Sequence, residues 1–141
     1  MSGRAVQRVG LGAPTATLLR DTLIDGARRV VFRVNVPTGT MSLMMHATGS
    51  PVVRTAIDAR VVDTTRFRRR SRDWVMQYWA VPDTGAFISL SIPVGGHINV
   101  DLAAIRPGLP ALQDPRTPAR PAFVVPAQQG DVSVAYARVT F

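Results

Sequence analysis

The chain contains no lysine, glutamate or cysteine, so its seventeen basic side chains are all arginine and its nine acidic side chains are all aspartate. Lysine and glutamate are strong helix formers that usually cover the exposed side of amphipathic helices. Glutamate is also a frequent general base and zinc ligand, and the cysteine thiolate is the main soft metal ligand. The composition therefore leaves little material for helices and excludes chemistry that depends on glutamate or cysteine.

Long apolar segments are missing as well. No apolar run approaches the roughly 20 residues that cross a membrane, and residues 1–7 carry an arginine without a following apolar stretch. We therefore expect neither a transmembrane segment nor a signal peptide in this chain. Its 141 residues fit one domain with a core of its own. The net charge of +8 permits an anionic partner but does not require one.

What the chain does contain is a series of short alternating runs separated by turn residues. In residues 28–36, for example, Val30, Phe32, Val34 and Val36 lie on one face and Arg33 and Asn35 on the other, as is typical of a half-buried strand. Further runs cover residues 15–20, 41–47, 52–62, 73–81, 86–92, 97–102 and 132–141. This spacing predicts an all-β fold, an antiparallel β-sandwich of jelly-roll or immunoglobulin-like type with about seven to eight strands.

The same pattern gives finer expectations about individual strands. Residues 58–60 are placed as a tight turn inside the run 52–62. Residues 73–81 carry apolar side chains on both faces, which favours a central strand. Residues 86–92 and 97–102 are expected to form a hairpin through the connection 93–96, where two glycines allow positive φ angles.

The domain organisation follows from the two ends and from proline. We expect a flexible N-terminal segment over residues 1–12 and a single sandwich domain over residues 13–141. Six of the eleven prolines fall in residues 105–130. Proline cannot donate a hydrogen bond to a strand ladder, so this segment is predicted to be a long proline-rich loop over the surface.

The densest charge feature is a group of five arginines within seven residues: Arg66, Arg68, Arg69, Arg70 and Arg72. They are candidates for contact with phosphates or an anionic lipid surface, and Phe67 among them is available for stacking. The alternative is the solvated tip of a hairpin between two strands. The remaining arginines are scattered, whereas nucleic-acid binders usually spread theirs over one face, so we favour the hairpin tip and do not expect a nucleic-acid partner.

A second candidate surface is aromatic. Trp74, Tyr78 and Trp79 lie within one predicted strand, where they could form a platform for a glycan or a peptide. Large aromatic side chains also supply much of the burial in small β domains, and this second interpretation is favoured.

Metal and cofactor chemistry have little support. The two histidines are His46 and His97, and the acidic residue at the nearest ligand-like spacing is Asp101. On a strand, His97 and Asp101 lie roughly 13 Å apart along its length. We therefore predict no metal site, no catalytic residues and no cofactor.

Several segments of the second half occur in a recognisable order. They are WVMQYWAVP (74–82), a strand followed by a Gly-Gly connection and INVDL (98–102), RPGLP (106–110), ARPAFVVP (119–126) and GDVSVAYARVTF (130–141). This order resembles the C-terminal, extracytoplasmic domain of bacterial membrane-associated zinc aminopeptidases, which belong to the co-catalytic zinc exopeptidase family with vacuolar and endoplasmic-reticulum members. The resemblance extends in outline over residues 13–141.

The resemblance implies a non-catalytic accessory domain, because the family's zinc centre needs glutamate and this chain has none. Its implied partner is another protein or the catalytic domain of a membrane peptidase. It also implies an extracytoplasmic or periplasmic location. In this case the domain would lie near the membrane only because the parent protein is anchored there. Two other hypotheses stay open: an independent module that binds glycans or peptides, and an arginine-rich binder of an anionic polymer or lipid surface.

Overall fold

The computed structural model describes residues 12–63, 73–108 and 131–141. These residues form nine strands in two antiparallel sheets, without a helix. Sheet A has the order β1-β2-β7-β4-β5, and sheet B has the order β6-β3-β8-β9. The strands are β1 (Thr15–Ile24), β2 (Ala27–Asn35), β3 (Ser42–Gly49), β4 (Arg54–Ile57), β5 (Arg60–Val61), β6 (Trp74–Trp79), β7 (Ala86–Pro93), β8 (Ile98–Pro107) and β9 (Val132–Thr140). The predicted all-β sandwich is confirmed.

The core lies between the two sheets and is built by the alternation visible in the sequence. Phe32 of sheet A and Leu102 of sheet B are both fully buried in one apolar cluster. The ring of Phe32 stacks on that of Phe141, with centroids 4.9 Å apart, and so joins β2 to the end of β9. Each large side chain buried in this way contributes about 1.5–3 kcal/mol to the stability.

The predicted hairpin between β7 and β8 is wrong. β7 pairs with β2 and β4 in sheet A, whereas β8 pairs with β3 and β9 in sheet B, so residues 94–97 carry the chain from one sheet to the other. Both strands have a fully buried row of side chains, for example Leu90 and Val100. These rows pack in the core between the sheets. Alternation gives the buried face of a strand but not its hydrogen-bonded neighbour, so it could not separate the two arrangements.

The expectation that β6 is a central strand is also wrong. Among the described strands, β6 lies at an edge of sheet B and pairs with β3 alone. Its inward residues Trp74, Met76 and Tyr78 pack against the core, whereas Val75 and Trp79 are exposed. The strand has apolar residues on both sides because the outer side belongs to an exposed apolar surface.

The predicted turn between β4 and β5 is confirmed. Asp58 and Ala59 have φ angles of 47° and 65°, as a two-residue hairpin turn requires. The side chain of Asp58 stabilises this turn against sheet A, because its carboxylate accepts a 2.9 Å hydrogen bond from the backbone N–H of Phe87.

The first residues of the segment predicted to be a proline-rich loop belong to a strand instead. Residues 105–107 continue β8 and pair with β9, as far as Pro107 opposite Val132. The backbone N–H of Gly108 donates a 2.7 Å hydrogen bond to the carbonyl of Asp131, so the two ends of the loop lie side by side. Three predicted features lie outside the described residues: the flexible segment over residues 1–12, of which only Gly12 is described, the arginine group of residues 66–72, and the predicted loop from residue 109 onward.

Candidate functional site

The three aromatic residues expected to form a platform do not share a face. Trp74 and Tyr78 point inward from β6 and are half-buried, while Trp79 points outward with 58% of its surface exposed. The separation follows from the two-residue period of a strand, which sends positions 74 and 78 to one side and position 79 to the other. Trp79 is therefore the member that a partner can reach as part of the outer surface.

The two inward rings are held by hydrogen bonds to sheet A. The indole N–H of Trp74 donates a 2.8 Å bond to the hydroxyl of Thr55 in β4. The hydroxyl of Tyr78 donates a 2.9 Å bond to the carboxylate of Asp58 in the β4–β5 turn. The bond to this carboxylate raises the pKa of Tyr78 above its usual value. Both side chains thus connect the edge of sheet B to sheet A.

The outer face of sheet B brings exposed apolar side chains together from several strands. The register places Trp79, Ser42, Ile105 and Val134 in one row across β6, β3, β8 and β9. The neighbouring row contains Gln77, Met44, Ala103 and Tyr136. We use the name "sheet B face" for the exposed apolar residues of this surface: Met44, Val75, Trp79, Val132, Val134 and Tyr136.

The extent of the sheet B face follows from sheet geometry. Strand spacing of about 4.8 Å and a two-residue repeat of about 6.7 Å give four strands and four rows an area of about 14 Å by 20 Å. Trp79 and Tyr136 lie on opposite edge strands and are 58% and 56% exposed. An area of this size is comparable with the largest apolar patch on an ordinary monomeric protein, and such a patch is often functional.

A polar network borders the sheet B face at its other end. The carboxylate of Asp101 accepts hydrogen bonds from Arg138 Nε at 2.5 Å, from Arg138 Nη2 at 3.0 Å and from the hydroxyl of Tyr136 at 2.5 Å. His46 Nδ1 lies 3.9 Å from the same carboxylate. The hydrogen bonds from Arg138 and Tyr136 hold the pKa of Asp101 at about 2, so the carboxylate is ionised and balances the charge of Arg138.

The exposed side chains of this arrangement suit binding through the burial of apolar surface. Asp101 and Arg138 at its border are paired, and its exposed part is mainly hydrocarbon and aromatic ring, with Gln77 between Val75 and Trp79 on β6. Among residues 12–63, 73–108 and 131–141, no group of three or more histidine or acidic side chains could hold a metal ion. Within the same ranges, no helix is long and apolar enough to cross a membrane.

Sequence reasoning identified Trp79 but missed its neighbours on the sheet B face. Met44, Val134 and Tyr136 come from strands separate in sequence, and the register alone makes them adjacent. The available signal was an apolar residue at each of the first three outward positions of β9, namely Val132, Val134 and Tyr136. The predicted anion contacts, Arg66, Arg68, Arg69, Arg70 and Arg72, fall outside the part of the chain that the structure describes.

Comparison with known proteins finds no matching family model, no matching curated protein and no matching solved structure.

Proposed function

We propose that this chain is a non-catalytic accessory domain that packs against a partner protein through the sheet B face. The observation that carries the proposal is the exposure of Trp79, Val134 and Tyr136 in neighbouring rows of one sheet. Removing such side chains from water on association is the main favourable contribution to docking.

The composition of the surface fits a protein partner. Interfaces combine an apolar centre with a polar rim, and tryptophan, tyrosine and arginine are enriched among the residues that contribute most of the affinity. Here the apolar centre lies beside the paired side chains of Asp101 and Arg138. Because Asp101 and Arg138 already form an ion pair, they can remain at the rim of an interface. Burial of the apolar centre then leaves neither charge without a partner.

The nature of the partner is proposed from the resemblance alone. The ordered motifs between residues 74 and 141 favour the catalytic part of a membrane-associated zinc aminopeptidase, with an extracytoplasmic location. In this arrangement the peptidase supplies the zinc centre, and this domain supplies a rigid surface against which the catalytic part packs.

A binding measurement tests both parts of the proposal. The probe is the purified catalytic portion of the peptidase encoded in frame with this chain or next to it, titrated against the wild-type domain by calorimetry. We expect the double variant Trp79→Ser/Val134→Ser to bind at least about tenfold more weakly, since two apolar anchors are lost.

Val94→Ser is the matched control, because Val94 is 58% exposed but lies in the connection between β7 and β8. It should bind as the wild type does. Equal loss in both variants would contradict docking through the sheet B face, and absence of binding to the peptidase by wild-type protein would contradict the peptidase association.

A further inference from the structure

The outer face of sheet A, on the opposite side of the sandwich, carries a concave groove of about 760 Å³. This volume lies within the range of about 300–1,000 Å³ that is usual for small-molecule sites. The hydroxyl side chains of Ser89 and Ser91 from β7 form part of its lining. Arg20, Arg29 and Arg54 line it from β1, β2 and β4.

The strand register explains why these arginines meet. Arg29 and Arg54 both pair with Ser91, one from each side, so their Cα atoms are separated by two strand spacings, about 10 Å. Arg20 reaches the same face because β1 has an irregularity between Leu18 and Arg20 that shifts its alternation. The groove is therefore lined by three arginines on one face of sheet A, with Arg29 and Arg54 in the row of Ser91 and Arg20 in the row next to it.

None of these three arginines has an ion pair or a side-chain hydrogen bond with another described residue. Elsewhere in the described chain the contrast is clear, because Arg28 binds Asp21 at 2.6 Å and Arg138 binds Asp101. Unpaired like charges in a concave surface repel one another and raise the local positive potential. An anion bound between them would relieve this repulsion.

Among the described residues that line the groove, Asp58 is the one acidic side chain, and it does not neutralise the three arginines. It follows Arg54 by four residues along β4 and its turn, a separation of about 13 Å on an extended chain. Its carboxylate oxygens already accept hydrogen bonds from the hydroxyl of Tyr78 and the backbone N–H of Phe87. The positive end of the groove thus keeps its charge.

The rest of the groove is mostly apolar, with Asp58, Thr84 and Ser89 as its polar side chains. Val31 and Ala56 lie in the row next to the arginine pair, and Val61 and Phe87 complete this side of the lining. A ligand that fills the groove therefore needs an anionic group at the arginine end and an apolar body along these side chains.

We propose that this groove binds a phosphate ester with an apolar or aromatic body. Guanidinium groups match the geometry of phosphate oxygens through paired N–H donors, and hydroxyl groups such as that of Ser91 complete the coordination. The phosphate group belongs either to a soluble ester or to the headgroup of an anionic lipid. The proposal concerns the sheet opposite the sheet B face, and so does not depend on the docking function.

Calorimetric titration with phenyl phosphate, inorganic phosphate and phenol tests the two halves of the groove. We expect saturable binding of phenyl phosphate that is stronger than that of either fragment. Arg54→Ser and Arg29→Ser should each weaken it at least about tenfold, since each removes one charged contact. Arg106→Ser removes the same charge from sheet B and should change the affinity less than about twofold.

Vesicles of phosphatidylcholine with or without phosphatidic acid identify the source of the phosphate. Vesicle binding that requires phosphatidic acid, and that phenyl phosphate displaces, assigns the groove to a lipid headgroup. Binding of phenyl phosphate without binding of these vesicles assigns it to a soluble ester. Equal loss of affinity in Arg54→Ser and Arg106→Ser would overturn the proposal. So would the absence of saturable binding both of phenyl phosphate and of vesicles that contain phosphatidic acid.

Discussion

The indole N–H of Trp74 in sheet B donates a 2.8 Å hydrogen bond to the hydroxyl of Thr55 in sheet A. Thr55 is only 3% exposed, so its hydroxyl depends on this partner inside the protein. The bond links the edge strand β6 to β4, and Met76 and Tyr78 pack against the core on the same side of β6 as Trp74. The two-residue period of the strand then places Trp79 on the opposite side, in the sheet B face.

Trp74→Phe is expected to destabilise the fold, because it leaves the buried hydroxyl of Thr55 without a partner. An unsatisfied buried hydroxyl costs about 1–3 kcal/mol, to which the smaller ring adds a loss of packing. Urea unfolding of Trp74→Phe, Thr55→Val and the double variant would separate the two effects. We expect the double variant to be more stable than the sum of the two single changes predicts. Simple additivity would show that the bond contributes nothing.

The two tyrosines provide a pH test that needs no substitution. Tyr78 and Tyr136 are the only tyrosines of the chain, and each donates a hydrogen bond to an aspartate, which raises its pKa above the usual 10.0. Because the folded-state pKa is raised, each bond contributes stability that is fully present below the unfolded-state pKa. This stability is lost as the pH rises through the folded-state pKa. The tyrosinate absorbance of folded protein should therefore reach its midpoint at higher pH than in urea. Coincident titration curves would contradict the two bonds.

The ionisation of Asp101 should affect the free energy of unfolding between about pH 4 and pH 2. Its pKa is lowered from 3.8 to about 2 by the hydrogen bonds from Arg138 and Tyr136. A lowered pKa means stability that is present above the unfolded value and is lost as the pH falls toward the folded one. As the pH falls between these two pKa values, the free energy of unfolding should decrease less for Asp101→Asn than for the wild type. An unchanged dependence on pH in urea unfolding would show that this carboxylate has no such role.

Gly85 should tolerate substitution less well than Gly95. Both have positive φ angles, 86° and 76°, so alanine is strained at either position. A Cβ atom at Gly85 would lie 2.6 Å from the carbonyl oxygen of Val34, whereas a Cβ atom at Gly95 would meet no atom of a described residue within 4 Å. Gly95→Ala should cost about 1 kcal/mol from the backbone alone, and Gly85→Ala should cost more than that. Thermal unfolding of the two variants measures the difference, and equal midpoints would contradict the close approach.

The sequence was sufficient to predict the strands themselves. Alternation identified the buried side of β2, β7 and β8, since Val30, Leu90 and Val100 are all fully buried. It also identified the turn at Asp58, where two successive residues have positive φ angles. These features depend on neighbours along the chain, and their signal is therefore local.

The strand pairing could not be predicted in this way. The periodicities of β7 and β8 are the same for a hairpin as for strands in different sheets, and the apolar outer side of β6 was attributed to burial rather than to an exposed surface. Both candidate sites depend on register across strands. Arg29 and Arg54 flank Ser91, and Trp79 shares a row with Val134, only because of pairings that alternation does not specify.

Site-specific photo-cross-linking in the native host is the most direct test of docking through the sheet B face. A photoreactive phenylalanine analogue would replace Trp79 in one protein and Val94 in another, two positions that are equally exposed at 58%. We predict one dominant adduct with a second, different protein from position 79, and no such adduct from position 94. Equal adducts from both positions, none from position 79, or adducts only with another copy of this chain would contradict the proposed accessory function.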